Sequence, residues 1–262
     1  MIDAPLPAEL RAALARPFRN IVVFSGAGMS EDSGIPTFRS GSNGLWHEFN
    51  PADLATPDAW RRDRETVWGW YEWRRGLVMR AEPNAGHLAV ARLQRELGAH
   101  VITQNVDDLH ERAGAHGVLH LHGSLFAPRC SACARPHGFD AAPPETPQRR
   151  RVPPRCSHCG GYVRPGVVWF GESLDAAVLG QAQALVSRCD LLLVVGTSGV
   201  VYPAAGLVDM APKSALVVSI NPDCVGSEPG TRIDYAMRSR AATGLPQITG
   251  LLVKGEESND LE

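Results

Sequence analysis

Apolar and polar positions alternate along the chain with two different periods, and the period identifies the element. Five short runs rich in Val, Ile and Leu read as strands: Ile21 to Phe24, His100 to Thr103, Val118 to Leu121, Leu191 to Val195 and Leu216 to Ile220. The run from Leu191 to Val195 is apolar at every position, as in a parallel strand covered on both faces. Helical spacing marks Ala8 to Ala15, Asp58 to about Met79, Gly86 to Leu97, Asp107 to Ala113, Leu174 to Arg188 and Pro203 to Met210. The second of these has a clear start, because Thr56 can cap orphan N–H groups and Pro57 suits the first helical position. Strands and helices alternating in this way predict an α/β fold on a parallel sheet. From about Arg129 to Pro165 the pattern breaks into Pro, Arg and Cys with little apolar periodicity. Within it Ala141 to Arg155 reads as a solvated loop, with Arg149, Arg150 and Arg151 on its surface. Something other than a hydrophobic core must order this insert.

Composition narrows the class. A chain of 262 residues with 44% hydrophobic positions can bury roughly 70 to 75% of its unfolded surface and needs no disulfide framework. With 26 Lys+Arg against 28 Asp+Glu, it has no surplus of cations to attract nucleic acid or an anionic membrane. No run of about 18 apolar residues is present, and the N-terminus lacks an apolar signal region, so a cytoplasmic, monomeric protein is expected.

The six cysteines change the picture. Cys130-Ser-Ala-Cys133 and Cys156-Ser-His-Cys159 form two C-x2-C pairs with 22 residues between them. Four thiolates presented by two such turns complete the closed tetrahedral shell of one structural zinc ion. Two disulfides or a redox C-x-x-C are the alternatives, disfavoured by a reducing compartment and by the matched pairs. Cys189 and Cys224, beside core strands, are expected to be apolar fillers.

A second motif runs from the first strand into a turn containing Gly26, Ala27 and Gly28. Small residues there let a pyrophosphate approach the backbone, and the positive end of a following helix suits its charge. The match departs from G-x-G-x-x-G, since Glu31 holds the sixth position and the next glycine is Gly34. No acidic residue is evident for a ribose after an adjacent strand, which disfavours a hydride-transferring dehydrogenase. Downstream, Phe38 and Arg39 put an aromatic ring and a cation beside the loop, chemistry that suits a flat ring and phosphate; a packing role for Phe38 is the alternative.

Several motifs now occur in order: G-A-G-M-S-E-D-S-G-I-P-T-F-R-S (Gly26 to Ser40), T-Q-N-V-D-D-L-H (Thr103 to His110), H-G-S-L (His122 to Leu125), the four cysteines, V-V-W-F-G-E (Val167 to Glu172) and G-T-S (Gly196 to Ser198). Together they resemble the sirtuin (Sir2) family of NAD-dependent protein lysine deacylases, from about Asn20 to about Pro246. The resemblance implies a Rossmann-like parallel sheet with helices on both faces, formed by residues 1–45, 86–128 and 166–262. It also implies a zinc-ribbon module over 129–165 and a helical part over 46–85 lining the acyl-lysine pocket. NAD would be a co-substrate, and acylated-lysine proteins the partners. The acyl oxygen attacks the nicotinamide ribose as nicotinamide leaves, giving O-acyl-ADP-ribose and free lysine.

Site roles follow from the same resemblance. His122 is the general base, with His120 a neighbour or packing residue. Gln104, Asn105 and Asp107 surround the nicotinamide ribose, Asn105 orienting ribose and water and Asp107 anchoring the site, while Asp108 caps the next helix. Gly26, Ala27, Gly28, Ser30 and Thr37 belong to the cofactor loop, where Phe38 shields the reactive ribose and Arg39 holds phosphate or the departing pyridinium region. Gly196, Thr197 and Ser198 cradle phosphate, Asn221 contacts the adenosine ribose, and Ala241 offers a backbone contact to adenine. Val168 and Trp169 pair with an extended peptide.

Tyr71 and Arg74 are three residues apart and share a helix face. An arginine fork with a phenol suits a carboxylate, and in its context this pair resembles the class III members, which remove succinyl and malonyl groups. A core helix whose Arg74 pairs with a surface carboxylate is the bland alternative. ADP-ribosyl transfer from the same site is the alternative activity, and a deacetylase with little acidic-acyl activity is another.

Overall fold

The computed structural model describes residues 6–37, 50–139, 142–144, 150–223 and 232–257. Phe38, Arg39, Arg149 and Cys224 lie outside them. Among the described residues six strands form one parallel sheet: β1 (Ile21–Ser25), β2 (His100–Thr103), β3 (Leu119–His120), β6 (Leu191–Val195), β7 (Leu216–Ile220) and β8 (Tyr235–Met237). Their order, β3-β2-β1-β6-β7-β8, is that of the doubly wound dinucleotide-binding fold. The expected α/β class is therefore present, and β8 adds a strand that the apolar runs do not announce.

Alternation along the strands divides the core. Ile21, Val23, Leu191, Leu193 and Val195 turn to one face, where they meet α1 (Ala8–Ala13), α5 (Ala85–Leu97) and α8 (Ala241–Glu257) through Leu10, Leu93 and Leu245. Val22, Phe24, Leu192 and Val194 turn to the other, against α7 (Ala176–Val186) and a 3-10 turn at Ala204–Met210. The segment Pro203 to Met210 is thus a 3-10 turn and not an α-helix. Period two explains both faces, because successive Cβ atoms leave a strand on opposite sides.

A second core lies beside the sheet. The two-stranded antiparallel unit of β4 (Gly123–Cys130) and β5 (Val163–Val167) packs on α2 (Pro51–Leu54), α3 (Pro57–Arg62) and α4 (Arg64–Arg80) through Leu125, Val167, Trp169, Leu54, Trp60 and Trp70. The single helix expected from Asp58 to Met79 is two helices. Asp63 breaks it and caps the second part, accepting from the Thr66 N–H at 3.2 Å and its hydroxyl at 2.8 Å. The expected helix at Asp107 to Ala113 shrinks to α6 (Leu109–Arg112), and Val118 to Leu121 to the two residues of β3.

The insert is held by cysteine and by charge. All four Sγ atoms of Cys130, Cys133, Cys156 and Cys159 lie within 4.8 Å of one another. Cys130 and Cys159 are 3.5 Å apart at sulfur, and Cys133 and Cys156 are 3.8 Å apart. A disulfide requires about 2.05 Å, whereas four sulfurs at about 2.3 Å from one tetrahedral zinc stand about 3.8 Å apart. The residues fit zinc. Gly161 leaves them the room: a Cβ there would come within 3.0 Å of the Cys130 sulfur and 3.2 Å of that of Cys159.

Within the segment read as a solvated loop, whose described residues are mostly exposed or half-buried, two arginines reach toward α4. Arg150 reaches Glu65 at 3.1 Å and Asp63 at 3.5 Å, and the Arg151 N–H donates to the Glu65 carbonyl at 3.0 Å. Arg151 also meets Glu72 at 3.5 Å; Glu72 is buried and accepts from Arg75 Nε and Nη2, each at 2.9 Å. Phe139 lies 3.7 Å below the Arg75 guanidinium. A carboxylate buried in α4 needs these cations, since its uncompensated charge would cost several kcal/mol. Cys189, as expected, is buried beside β6.

Two consequences are measurable. Protein purified from zinc-supplemented medium is expected to carry one zinc per chain, and chelation at neutral pH to lower its melting temperature by several degrees, because a structural site contributes folding free energy. Metal analysis finding no zinc, or a melting curve indifferent to its removal, contradicts this reading.

Candidate active site

In open α/β sheets ligands bind beyond the carboxyl ends of strands, where chain direction across the sheet reverses. Here that point lies between β1 and β6, adjacent strands from which the chain proceeds in opposite directions. The loops that leave them touch. Gly28 N–H donates to the Gly196 carbonyl at 2.9 Å, and a Cβ on Gly28 would come within 2.8 Å of Gly196 Cα. These glycines are thus required by backbone packing on backbone. The turn after Gly26 leads into two three-residue 3-10 segments, Ala27–Met29 and Glu31–Ser33, so the α-helix expected to begin there is absent.

A cavity of about 380 Å³ opens at this junction. Gly26, Ala27, Gly28, Thr37, Gln104, Asn105, His122, Gly196, Thr197, Ser198 and Asn221 line it, as do Tyr71, Arg74, Val168 and Trp169 from the second core. Three expected residues stand apart from this lining. Ser30 and Asp107 are buried behind the wall, and Ala241 is buried against α5, where its carbonyl lies 2.8 Å from the place of a Cβ on Gly86.

Hydrogen bonds tie the lining together. Gln104 Nε2 donates to Thr197 Oγ1 at 2.8 Å, and Asn221 Nδ2 to the Thr197 carbonyl at 3.0 Å, so one residue joins the ends of β2, β6 and β7. Ser30 Oγ donates to Asp107 at 3.0 Å and accepts from Asn105 Nδ2 at 3.1 Å. Asp107 also accepts from the Leu109 N–H at 3.2 Å. Asp107 is therefore the residue that caps α6, the role expected of Asp108, whose side chain makes no cap bond. Burial raises Asp107 above the usual carboxylate range, against the Leu109 and Ser30 hydrogen bonds.

The two nearby histidines differ. His122 Nδ1 lies 2.9 Å from the Gln104 carbonyl, which can only accept. Nδ1 therefore carries the proton and Nε2 is the basic nitrogen. Burial holds His122 below its ordinary value, the Gln104 bond opposing, which keeps the ring neutral at pH 7. His120 instead lies between the Asn105 carbonyl at 3.0 Å and Glu111 at 2.7 Å, a packing position that supports Asn105.

At the other end, burial pushes the Tyr71 phenol up to about 12, with the Arg74 charge opposing. Arg74 is buried with its guanidinium 5.0 Å from the Trp70 ring centre. Both stay protonated at neutral pH, giving a wall of donors set in tryptophan. The sequence pattern did not single out Arg240, Asp223 and Phe170, which also line the cavity. Arg240 reaches Asp32 at 2.8 Å, a pair separated by 208 positions and visible only in the fold.

Beneath the site lies a dry pair of rings. His87 and His110 are 0% and 1% exposed, with ring centres 5.0 Å apart. His87 Nδ1 accepts from the Asn84 N–H at 3.3 Å in a capping box. Ser25 Oγ donates to Thr103 Oγ1 at 2.9 Å and so accepts from His110 Nε2 at 2.9 Å. Burial pulls His87 down to about 4 and His110 to about 3. Unfolded, both titrate near 6.5, so the unfolded chain binds more protons and stability is lost as pH falls below that value. The two rings should together contribute a loss of about 4 kcal/mol between pH 7.5 and 5, about 2 kcal/mol per ring, read in denaturant unfolding as a shallower slope in His87→Ala than in the parent protein. A flat profile contradicts neutral burial.

The Sir2 family profile matches residues 26–203. A Corynebacterium glutamicum protein named NAD-dependent protein deacylase is 47% identical over 244 residues, 92% of this chain and 94% of the relative. The NAD-dependent protein deacylase 1 of Pseudomonas aeruginosa is 56% identical over 212 residues, covering 79% and 84%. Among solved structures, a Sir2 homolog–NAD complex superposes with a TM-score of 0.83 at 41% identity, covering 97% of this chain and 96% of that one.

Proposed function

The chain belongs to the Sir2 family, an NAD-dependent protein lysine deacylase by its relatives, and from that premise we propose that it removes succinyl and malonyl groups as well as acetyl groups from lysine. One observation carries the acidic-acyl reading: Tyr71 and Arg74 line the same cavity as His122, Asn105 and Gln104. A carboxylate at the end of a short acyl chain needs donors that stay protonated in a desolvated place, and arginine with a phenol supplies them.

The site fits NAD by its donor set. Side-chain amides of Gln104, Asn105 and Asn221 and the hydroxyls of Thr197 and Ser198 line the cavity and suit ribose hydroxyls and phosphate oxygens. When bound, NAD supplies an electrophilic ribose carbon and a nicotinamide leaving group. His122 accepts a proton at Nε2, its tautomer fixed by the Gln104 carbonyl. Asn105 orients ribose and water, its amide held by Ser30, which Asp107 anchors in turn. On this reading Asp107 acts through Ser30 and not by contact. Val168 and Trp169 pair with the peptide beside the lysine, and Gly196 to Ser198 receive phosphate. Phe38 and Arg39 keep their proposed roles at the reactive ribose, and Ala241 its proposed backbone contact to adenine.

Purified protein given NAD and a succinyl-lysine peptide is expected to release nicotinamide and free lysine, and His122→Ala to abolish both while melting normally. Turnover that persists in the variant would sink the mechanism, and ADP-ribose found on the peptide by mass spectrometry would point to the transferase alternative. Arg74→Met should cost desuccinylation about a hundredfold in kcat/KM and deacetylation less than about tenfold, since a carboxylate left unpaired in a desolvated site costs about 3 kcal/mol. Equal losses argue against acyl selectivity. Because His122 is held below its ordinary value, activity should remain on its plateau down to about pH 6.5 and fall only below it. An acid limb centred above pH 7 rules out His122 as the titrating base.

A further inference from the structure

One hydrogen bond at the acyl end of the cavity fixes the direction of a proton. The Trp169 indole Nε1–H donates to the Tyr71 hydroxyl oxygen at 3.1 Å, between side chains 3% and 6% exposed. A phenol has one proton and two lone pairs. An indole N–H can only donate, so Tyr71 cannot give its proton to Trp169. Among the described residues no hydrogen bond takes the Tyr71 proton to a protein acceptor. The phenol lines the cavity with its acceptor side engaged and its donor side unspent.

Trp169 is fixed in this position from behind. The Arg164 guanidinium stacks 3.4 Å from its ring centre. Arg164 is itself held by Glu172 at 2.6 and 2.9 Å and by the Val167 carbonyl at 3.0 Å, and the Trp169 backbone N–H donates to the same Glu172 at 2.9 Å. Trp60 packs on the indole with ring centres 5.8 Å apart. A cation over the face of an indole draws electron density from the ring and strengthens its N–H as a donor. A hydroxyl that accepts a stronger hydrogen bond donates a stronger one, so the polarisation passes through Tyr71 to whatever lies beyond it.

We propose that Trp169, backed by Arg164, is a positioning residue for acyl recognition: by occupying the Tyr71 oxygen as a donor it turns the phenol proton toward the acyl terminus. Tyr71 and Arg74 then offer donors alone, and the site selects a terminus that only accepts. A carboxylate meets that demand, whereas a terminal carboxamide of nearly the same shape brings two N–H groups of its own that find no acceptor. The inference rests on the acidic-acyl reading and adds to it the group that sets the polarity of the site.

The test compares kcat/KM for a succinyl-lysine peptide with that for its terminal carboxamide isostere. In Trp169→Phe, where Tyr71 can rotate its proton away and accept, the preference for carboxylate is expected to narrow about tenfold, with the change in KM more than in kcat. Tyr71→Phe should narrow it by a similar factor, and adding Trp169→Phe to Tyr71→Phe should narrow it no further. Parallel losses on the two substrates, or a further narrowing in the double variant, overturn the proposal by showing that the indole acts through packing or independently of Tyr71. Should Trp169→Phe fail to fold, Arg164→Gln keeps the indole and removes the cation: a narrowing of about threefold supports the relay, and an unchanged ratio overturns it. A wild-type protein that turns over acetyl peptides but no succinyl peptide, with Arg74→Met without effect, removes the acidic-acyl reading itself and this inference with it.

Discussion

The approach of two backbones governs the site. Where the loops after β1 and β6 cross, Gly28 and Gly196 bring main chain against main chain at 2.9 Å between N and O, a separation that no side chain larger than hydrogen permits. This contact brings the carboxyl ends of the two strands together at the point where the sheet reverses direction. Thr197, the next residue, is then within reach of Gln104 from β2 and Asn221 from β7. Three strand ends are drawn together by one threonine whose position two glycines make possible.

From this junction the site extends in two directions with different chemistry. On the side of the sheet amides, hydroxyls and a histidine kept uncharged by burial predominate, with Asp223 and Arg240 as charged members of the lining. Toward the second core the wall is cationic and aromatic, with Arg74 set beside Trp70 and Tyr71, and Trp169 backed by Arg164. Neutral donors and acceptors suit a sugar, and a desolvated cation suits an anion. The division follows the architecture, since one half of the wall comes from loops of the parallel sheet and the other from α4 and the end of β5.

Much of this was legible in the sequence, and what was not had physical reasons. The central strands announce themselves because they are apolar at every position, and the cysteine pairs because a zinc shell dictates their spacing. β4 and β5 escape the period-two pattern, since Pro128 and the pair Pro165 and Gly166 interrupt it. The break at Asp63 is hidden because the helical spacing runs on through it, and only the cap to Thr66 reveals it. Asp107 and Asp108 are neighbours of one type, and sequence cannot say which of them turns inward to cap. Arg150 and Arg151 look like a solvated run because their partners, Glu65 and Glu72, lie on a helix some 79 to 85 positions earlier.

That separation also bears on how the molecule is made. Glu72 is locked away beneath Arg75 and Arg151 in the finished structure, but Arg151 leaves the ribosome 79 residues after it. At about 5 to 20 residues per second the delay is about 4 to 16 s. Throughout that interval α4 holds a carboxylate it cannot bury together with all its counter-charges, and the four thiols that order the later segment are not yet all synthesised. The helix that carries Tyr71 and Arg74 therefore meets the last of its counter-charges only once Arg151 has been made, which places the acyl-facing wall among the later parts of the chain to reach their final surroundings.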